Sequence, residues 1–285
     1  MKGIILAGGT GSRLFPSTIA LSKQLIPVYD KPMVYYPLST LMLAGVQDIL
    51  VITTPSDQSA FKKLLGDGTN FGISISYEIQ EEPKGLAQAL IIGEKFLKGE
   101  ASLLILGDNI FYGVGLGQEL NRNFPEIGGQ IFTYEVSNPR DYGIVELDGH
   151  GVPLSIQEKP EFPKSNLAVT GLYYFDSSAS EVAKKLKPSS RGELEITSLI
   201  DWYLKRGELR VTKLSRGTAW LDTGNQNSMH DASTFVRIIE ERTGLKIGCP
   251  EEIAFRNGWI SRDFLTERAN FLSSSGYGKY LLGLN

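Results

Sequence analysis

The stretch Leu6-Ala7-Gly8-Gly9-Thr10-Gly11-Ser12-Arg13-Leu14 follows a short apolar run and has the form of a strand that ends in a glycine-rich loop. Glycines carry no side chain, so their backbone N–H groups can approach an anion, and positive φ angles can aim several N–H groups at one point. Arg13 adds a planar cation beside the loop. The stretch therefore predicts a phosphate-binding loop, with a tight strand-to-helix turn as the alternative.

Two common nucleotide-binding motifs do not fit the sequence. A dinucleotide fingerprint, G-x-G-x-x-G, that begins at Gly9 and Gly11 would have Leu14 at its third glycine position. A Walker A loop needs Gly-Lys followed by Ser or Thr, and the Gly-Lys pair at 278–279 is followed by Tyr280. The spacing thus argues against an NAD-dependent dehydrogenase and against a P-loop protein.

Strand-like apolar runs alternate with helix-like segments through the first half of the chain. The expected strands are 3–6, 49–53, 73–78, 103–106 and 130–135, and the expected helices are 33–44, 56–65, 86–96 and 116–121. This alternation predicts a mostly parallel sheet with helices on both faces, in which ligands bind beyond the carboxyl ends of the strands. The glycine loop leaves the first strand at that end.

The pattern changes at about residue 142. A hairpin is expected at 143–147 and 154–158, joined by Asp148-Gly149-His150-Gly151, and a long strand at 167–175. Helices are expected at 177–186 and 194–205, and predominantly from 226 onward. We expect a Rossmann-like α/β fold: a mostly parallel mixed sheet flanked by helices, with a β lobe and a helical C-terminal extension.

Composition excludes several classes of protein. A chain of 285 residues with 41% hydrophobic and 21% charged residues is typical of a globular protein, and a net charge of −3 argues against non-specific nucleic-acid binding. Cys249 is the single cysteine, so no internal disulfide is possible, and two histidines cannot complete a Cys/His zinc cluster. Without a signal-peptide core or an apolar run near ~20 residues, we expect a cytoplasmic protein with no membrane or nucleic-acid partner.

Two aspartates follow short apolar runs. They are Asp108 in Leu106-Gly107-Asp108-Asn109 and Asp222 in Trp220-Leu221-Asp222-Thr223-Gly224. A carboxylate at the end of a strand can hold Mg²⁺, which takes one or two carboxylates together with substrate phosphates. The alternative is a helix cap or an Asx-turn. Both lie at expected strand ends, so they can converge on one metal ion.

Three other segments carry polar groups suited to ligands. The amide of Gln80 can form hydrogen bonds with the edge of a pyrimidine, and Gly85 at a helix start would let a ring approach the backbone. The alternative is an ordinary loop followed by a helix cap. Glu158 and Lys159 offer a carboxylate for hydroxyl groups and an ammonium for a phosphate, or else form a weak surface ion pair. Lys23 is within reach of the glycine loop, or is an ordinary exposed lysine.

The residue inventory favours phosphoryl-type chemistry. Two histidines and one cysteine leave no ready Ser-His-Asp or Cys-His set for acyl transfer. A sugar phosphate, with a second pKa of roughly 6, is already ionised at neutral pH and needs no general base. The protein would then hold two polyanions in line and offset their repulsion through Arg13, Lys23, Lys159 and a metal ion.

Taken together, these segments resemble the sugar-nucleotide pyrophosphorylases over nearly the full chain, in particular the members that act on dTTP. Eight segments occur in the family's order: 6–14, 22–24, 80–81, 85–89, 106–109, 141–143, 158–160 and 220–224. The resemblance implies that dTTP and α-D-glucose 1-phosphate give dTDP-glucose and pyrophosphate with Mg²⁺. It also implies that the β lobe binds the sugar.

The resemblance also assigns roles by position. It implies catalytic roles for Arg13, Lys23 and Lys159; nucleotide contacts from Leu6, Gly8, Thr10, Gly11, Arg13, Gln24, Gln80 and Gly85; sugar-phosphate contacts from Tyr142, Gly143, Glu158, Lys159 and Val169; and metal ligation by Asp108 and Asp222. Arg13 and Lys23 would hold the departing pyrophosphate, and Gln80 and Gly85 would recognise thymine. Asn225 stands where the family pattern usually has threonine.

The resemblance further implies a catalytic core over 1–225, with a nucleotide half to about 140 and a sugar-phosphate half over 141–225. The helical extension at 226–285 is expected to supply the contacts of a homotetramer. Members of the family are feedback-inhibited at a separate subunit interface by a downstream deoxysugar nucleotide, in the route to dTDP-rhamnose and surface polysaccharides. Two alternatives stay open: a UTP-using uridylyltransferase and a non-catalytic nucleotide-sugar sensor.

Overall fold

The first apolar run forms the central strand of a nine-stranded mixed sheet. In the computed structural model of the chain, the described residues are 1–9, 11–120 and 124–284. Strand β1 (Lys2–Ala7) is buried along its whole length between two parallel neighbours, which explains why its sequence is continuously apolar rather than alternating.

The remaining elements of the described residues follow in chain order. The strands are β2 Pro27–Val28, β3 Lys31–Pro32, β4 Asp48–Thr53, β5 Ser74–Ile79, β6 Ser102–Leu106, β7 Asn109–Tyr112, β8 Gly129–Glu135, β9 Gly143–Leu147, β10 Pro153–Glu158, β11 Leu167–Phe175, β12 Leu209–Lys213 and β13 Ala219–Asp222. The helices are α1 Tyr35–Leu43, α2 Gln58–Leu65, α3 Gln88–Ile92, α4 Glu94–Leu97, α5 Leu116–Leu120, α6 Ala179–Ala183, α7 Ile196–Lys205, α8 Gln226–Thr243, α9 Pro250–Arg256, α10 Arg262–Phe271 and α11 Gly276–Leu282.

The main path of the sheet runs β10-β9-β11-β6-β1-β4-β5. Strands β6, β1, β4 and β5 are parallel, whereas β11 is antiparallel to β6, β8 and β9, and β12 adds to β8 in parallel. The expected mixed α/β sheet flanked by helices is confirmed. Its parallel part lies in the first half of the chain, and the β lobe is continuous with the same sheet through the pairing of Ala168 with Ile144.

Helices cover both faces of the sheet. One buried cluster joins β1 to α1, α2 and α10 through Leu38, Phe61 and Leu265, all fully buried. A second cluster on the other face includes Leu90 of α3 and Leu199 of α7. Parallel strands buried on both faces in this way place their carboxyl ends, and so the glycine loop, at one edge of the core.

Several expected elements differ from the structure. The single helix expected at 86–96 is divided at Gly93, where an added Cβ would lie 2.9 Å from Ile4 of β1, so the chain passes close to the sheet there. The helix expected at 194–205 begins at Ile196, because the backbone of Leu194 instead bonds to Lys84 and Ala87. The expected helix at 116–121 runs to Leu120, and Asn121 lies outside the described residues. The hairpin β2–β3 and strand β12 were not predicted.

Helix α8 begins directly after β13. Asn225 caps it, accepting from the backbone N–H of Ser228, while the Ser228 hydroxyl accepts from the N–H of Asn225. A threonine, as in the usual pattern of the resembling family, can make a cap of the same kind. A third buried cluster packs α8 on the β2–β3 hairpin and β7 through Val28, Ile110 and Val236.

No helix within 1–9, 11–120 and 124–284 is both long enough and apolar enough to cross a membrane.

Candidate active site

The glycine loop leaves β1 and turns into a 3-10 helix at Ser12–Leu14. Gly9 and Gly11 have φ angles of 110° and 59°, which glycine adopts readily. The Thr18 hydroxyl donates to the Gly11 carbonyl at 2.7 Å, so the orientation of that peptide group is fixed by Thr18. Thr10, expected at the triphosphate, lies outside the described residues.

Lys23 and Asp108 form a direct ion pair. Lys23 Nζ lies 2.5 Å from Asp108 Oδ2, and the side chain of Lys23 is 10% exposed. The other carboxylate oxygen, Oδ1, accepts from the Asn109 side-chain amide at 2.9 Å. Both oxygens of Asp108 are therefore held in direction, one by a charge and one by an amide.

Asp222 reaches the same place from the other end of the chain. Strand β13 pairs antiparallel with β7, and Asp222 stands opposite Asn109. Thr223 strengthens this junction because its hydroxyl donates to the Asp108 carbonyl at 2.8 Å. The two aspartates, 114 positions apart in sequence (222 minus 108), are brought together by two neighbouring strand ends.

The electrostatics of the two aspartates suit a divalent cation. Burial and the negative charge of Asp108 raise the pKa of Asp222 to about 6, although Lys23 and Arg13 act in the opposite direction. A carboxylate whose ionisation is disfavoured by a neighbouring carboxylate is part of a donor set that a hard cation stabilises. Among the described residues, no group of three or more Asp, Glu, His and Cys side chains forms a metal site, so substrate phosphates would have to complete this one.

A buried amide network lies on the side of the glycine loop opposite the aspartates. Gln80, 4% exposed, donates from Nε2 to Gln88 Oε1 at 2.7 Å. Its Oε1 is so close to Gly8 that any Cβ there would collide with it. Gly85 packs against the backbone of Leu194, which accounts for the glycine without a bound ring. Gln24 is also buried, and its Oε1 accepts from the Ser22 hydroxyl at 2.7 Å.

The expected sugar residues come together on the antiparallel strands. Glu158 ends β10 beside Gly143, where an added Cβ would lie 3.5 Å from Glu158 Oε2. Burial and the charge of Glu195 raise the pKa of the Glu158 carboxyl. Lys159 has a φ of 42°, which is uncommon for a residue with a side chain and typical of functional sites. Its N–H donates to the Tyr142 carbonyl at 3.0 Å.

These groups surround one open cavity of about 400 Å³. Its walls include the expected residues Gly8, Gly11, Arg13, Lys23, Gln24, Asp108, Tyr142, Gly143, Glu158, Lys159, Val169 and Asp222. Gln80, Gly85 and Leu6 are not among the residues that line this cavity, and Leu6 is packed in a core cluster. Arg13 and Lys23 on the side of the glycine loop, and Glu158 and Lys159 on the side of the antiparallel strands, thus face a volume of the size that small ligands occupy.

Two residues on the cavity wall, Asn109 and Thr197, and one beside it, Arg191, were not predicted from the sequence. Asn109 is 2% exposed and accepts from Trp220 Nε1 at 2.6 Å and from the N–H of Gly171 at 3.2 Å, so it ties β7, β13 and β11 together. Arg191 Nη2 lies 3.7 Å from Glu158, and Thr197 is on the cavity wall. An amide after an aspartate was visible in the sequence, but the long-range partners of the other two were not.

Comparison with known proteins identifies the family of this chain. The model of the nucleotidyl transferase family matches residues 2–238. The chain belongs to the nucleotidyl transferase family. It is 58% identical over 284 residues to the glucose-1-phosphate thymidylyltransferase of Mycolicibacterium smegmatis, covering 100% of this chain and 99% of that one. The corresponding enzyme of Neisseria meningitidis serogroup A is 56% identical over 285 residues, with coverages of 100% and 99%.

Solved nucleotidyl transferase structures share the fold. A Bacillus anthracis protein described as a glucose-1-phosphate thymidylyltransferase, crystallised with sucrose, is 40% identical with a TM-score of 0.77, covering 83% of this chain and 95% of that one. A UDP-glucose pyrophosphorylase bound to UDP-glucose is 25% identical with a TM-score of 0.73, covering 84% and 98%. Nucleotidyl transferases of this family generally use a divalent metal, in keeping with the two adjacent aspartates.

Proposed function

We propose that this chain transfers a thymidylyl group from dTTP to α-D-glucose 1-phosphate, giving dTDP-glucose and pyrophosphate. An oxygen of the sugar phosphate forms a bond to the α-phosphorus of dTTP, and the bond from that phosphorus to the bridging β-phosphate oxygen breaks. The single observation that carries the proposal is the shared cavity. The Lys23–Asp108 pair and Asp222 line it together with the glycine loop and the antiparallel strands of the β lobe.

The chain's own residues would position the two substrates and stabilise the negative charge of their phosphates. The loop N–H groups and Arg13 would hold the triphosphate, and Arg13 with Lys23 would stabilise the charge that develops on the leaving pyrophosphate. Lys159 would meet the sugar phosphate, while Glu158, Tyr142, Gly143 and Val169 orient the glucose. No side chain is asked to remove a proton, since the attacking phosphate is already ionised.

We propose Mg²⁺ as the metal, held by Asp108 and Asp222. When bound, it would neutralise phosphate charge between the two substrates. We propose that Lys23 would exchange Asp108 for a phosphate oxygen when the substrates and the metal bind. That exchange suits Lys23 because an ammonium is a mobile point charge rather than a planar fork.

The test is pyrophosphate release from a panel of dTTP, UTP and dATP against glucose 1-phosphate and galactose 1-phosphate, with Mg²⁺ and with Mg²⁺ chelated. We expect the highest kcat/KM with dTTP and glucose 1-phosphate, partial use of UTP and no turnover after chelation. Thymine and uracil differ by one methyl group, worth only about 1–3 kcal/mol in a pocket. A clear preference for UTP would overturn the nucleotide assignment, and nucleotide binding without turnover would favour a sensor.

We also propose that residues 226–285 supply contacts of a homotetramer. Support comes from apolar side chains left exposed on this segment: Ile238 is 50%, Leu245 57% and Phe271 78% exposed. Light scattering on the purified protein tests the proposal. A monomer at working concentration would remove it.

A further inference from the structure

Helix α8 presents three polar side chains on one face toward the segment between the glycine loop and α1. They are Gln226, Ser233 and Glu240, spaced seven residues apart. Seven residues are close to two turns of helix, so the three side chains lie in one row, with successive members about 10 Å apart. Each of them contacts a different point of the segment 14–31, which contains Lys23 and Gln24.

Gln226 holds the end of the glycine loop. Its Nε2 donates to the Leu14 carbonyl at 3.0 Å and lies 3.4 Å from the Ser17 hydroxyl. Leu14 is fully buried and directly follows Arg13 in the 3-10 turn. A contact to the Leu14 carbonyl therefore fixes the backbone from which Arg13 projects.

Ser233 holds the hairpin that follows Lys23. Its hydroxyl accepts from the backbone N–H of Tyr29 at 2.9 Å. Tyr29 has a φ of 60°, a left-handed conformation that costs free energy for a residue with a side chain and persists only when its surroundings hold it. The contact from α8 is one of the interactions that stabilise that conformation.

Glu240 holds the end of the same hairpin through a buried ion cluster. It is 5% exposed, and its Oε1 accepts from Lys31 Nζ at 2.8 Å and from the N–H of Ile247 at 2.9 Å. Lys246 lies 2.5 Å from the other oxygen, and Asp30 contacts both lysines. Removing one member of such a cluster leaves a buried charge unpaired, so the cluster fixes the distance between helix and hairpin.

The order of these contacts along α8 follows the order of their partners along the chain, Leu14, then Tyr29, then Lys31. The helix also begins four residues after Asp222. One straight element thus joins the strand that carries a metal-site aspartate to both ends of the segment that carries Lys23. We infer that α8 positions Arg13 and Lys23 for catalysis, and that Gln226 is a positioning residue acting through the Leu14 carbonyl.

The inference rests on the proposed function for its kinetic arm and stands apart from it in a second arm. The variants are Gln226→Met, which keeps length but removes the donor, and the control Asn227→Ala at the adjacent exposed position. Because one hydrogen bond is lost, we expect Gln226→Met to lower kcat about three- to tenfold. The KM for glucose 1-phosphate should stay unchanged, and the melting temperature should fall slightly because the Leu14 carbonyl loses its donor. Asn227→Ala should match the unmodified protein in all three measurements.

The second arm measures amide hydrogen exchange of residues 11–25 in the protein without substrate. Exchange should be faster in Gln226→Met and unchanged in Asn227→Ala. Faster exchange together with lower kcat supports the inference; equal exchange in the two variants, or faster exchange with unchanged kcat, overturns it. If the unmodified protein fails to use dTTP and glucose 1-phosphate, the proposed function fails, while the exchange comparison still decides whether Gln226 holds the loop.

Discussion

The two sides of the cavity are formed by different kinds of chemical groups. On the nucleotide side, where we propose that dTTP binds, the candidate groups are backbone N–H groups of the glycine loop and the buried amides of Gln80 and Gln24, each less than 6% exposed. On the sugar side, where we propose that glucose 1-phosphate binds, the candidate groups on β9 and β10 are mostly half-buried or exposed. Ion pairs made by Arg191, whose side chain is 46% exposed, lie next to them. The two amides are therefore part of the core, whereas Glu158 and Lys159 lie at the surface.

Because of this difference, we expect substitutions on the two sides to affect the stability of the protein and the binding of substrates differently. Buried polar groups that lose a partner cost roughly 1–3 kcal/mol of unfolding free energy, whereas exposed ion pairs contribute about 0–1 kcal/mol. Substitutions on the nucleotide side should therefore change both stability and activity. Substitutions on the sugar side should change substrate binding alone, and the aspartates at the boundary should separate the two effects most clearly.

The largest effect is expected from the two aspartates. Asp108→Asn and Asp222→Asn should each lower kcat by about a thousandfold or more, because each removes a metal ligand. Their effects on stability should be opposite. Asp222→Asn removes a buried charge repelled by Asp108 and should raise the melting temperature by about 2–4 °C, whereas Asp108→Asn leaves Lys23 without its carboxylate partner and should lower it.

Thermal unfolding with and without Mg²⁺, alongside pyrophosphate release, checks this pair of variants, and Asp231→Asn on the exposed surface of α8 is the control. Melting temperatures that move in the same direction for both aspartates would contradict the charge arrangement. Turnover retained in either variant would remove that residue from the metal site.

The second effect concerns the glycine loop. Arg13→Ala should lower kcat about a hundredfold while weakening dTTP binding much less, because the charge on the departing pyrophosphate develops in the transition state. Calorimetric titration with dTTP in the absence of sugar phosphate gives the binding constant, and initial rates give kcat. A loss confined to dTTP binding would mean that the loop only holds the ground-state triphosphate.

The sequence was most informative where function depends on local backbone. The loop at Gly8–Gly11, the strand that precedes it and the hairpin with Glu158 were all predictable, since glycine spacing and alternation act over a few residues. The convergence of Asp108 and Asp222 was a hypothesis drawn from strand ends, and the structure brings the two together by the pairing of β7 with β13.

Contacts between residues far apart in the chain could not be predicted from the sequence. The hairpin β2–β3 contains prolines and two-residue strands, so no alternation of apolar and polar residues predicts it. It is held by α8 through the contact of Ser233 with Tyr29, which is 204 positions away in sequence. Arg191 was not predicted for the same reason, because its position beside Glu158 depends on how the loop before α7 returns to the sheet. Such residues carry no local pattern of their own.

A third prediction addresses the sugar side. Glu158→Gln should raise the KM for glucose 1-phosphate about ten- to thirtyfold, because the carboxylate accepts hydrogen bonds from hydroxyl groups more strongly than an amide does. The affinity for dTTP and the melting temperature should stay the same. Burial and Glu195 raise the pKa of this carboxyl, so the unmodified protein should lose sugar affinity as the pH falls through that raised value.

Steady-state KM measured as a function of pH tests this assignment. Glu158→Gln should lack the pH-dependent rise in KM, since its amide does not titrate there. Lys164→Met, an exposed partner of Glu146 on the same lobe, is the control and should leave KM unchanged. A pH profile that is identical in Glu158→Gln and the unmodified protein would assign the titration to another group.

The smallest effect is expected for Gln88, the hydrogen-bond partner of Gln80 on the nucleotide side. Gln88 accepts from Gln80 and from the backbone N–H of Lys84, so it fixes which way the Gln80 amide points. Gln88→Met should raise the KM for dTTP about three- to fivefold and lower the melting temperature slightly, while the KM for glucose 1-phosphate stays constant. Because Gln80 is buried, this loss should appear in both stability and nucleotide affinity, in contrast to Glu158→Gln. Unchanged stability in Gln88→Met would mean that the nucleotide side is no more integral to the core than the sugar side.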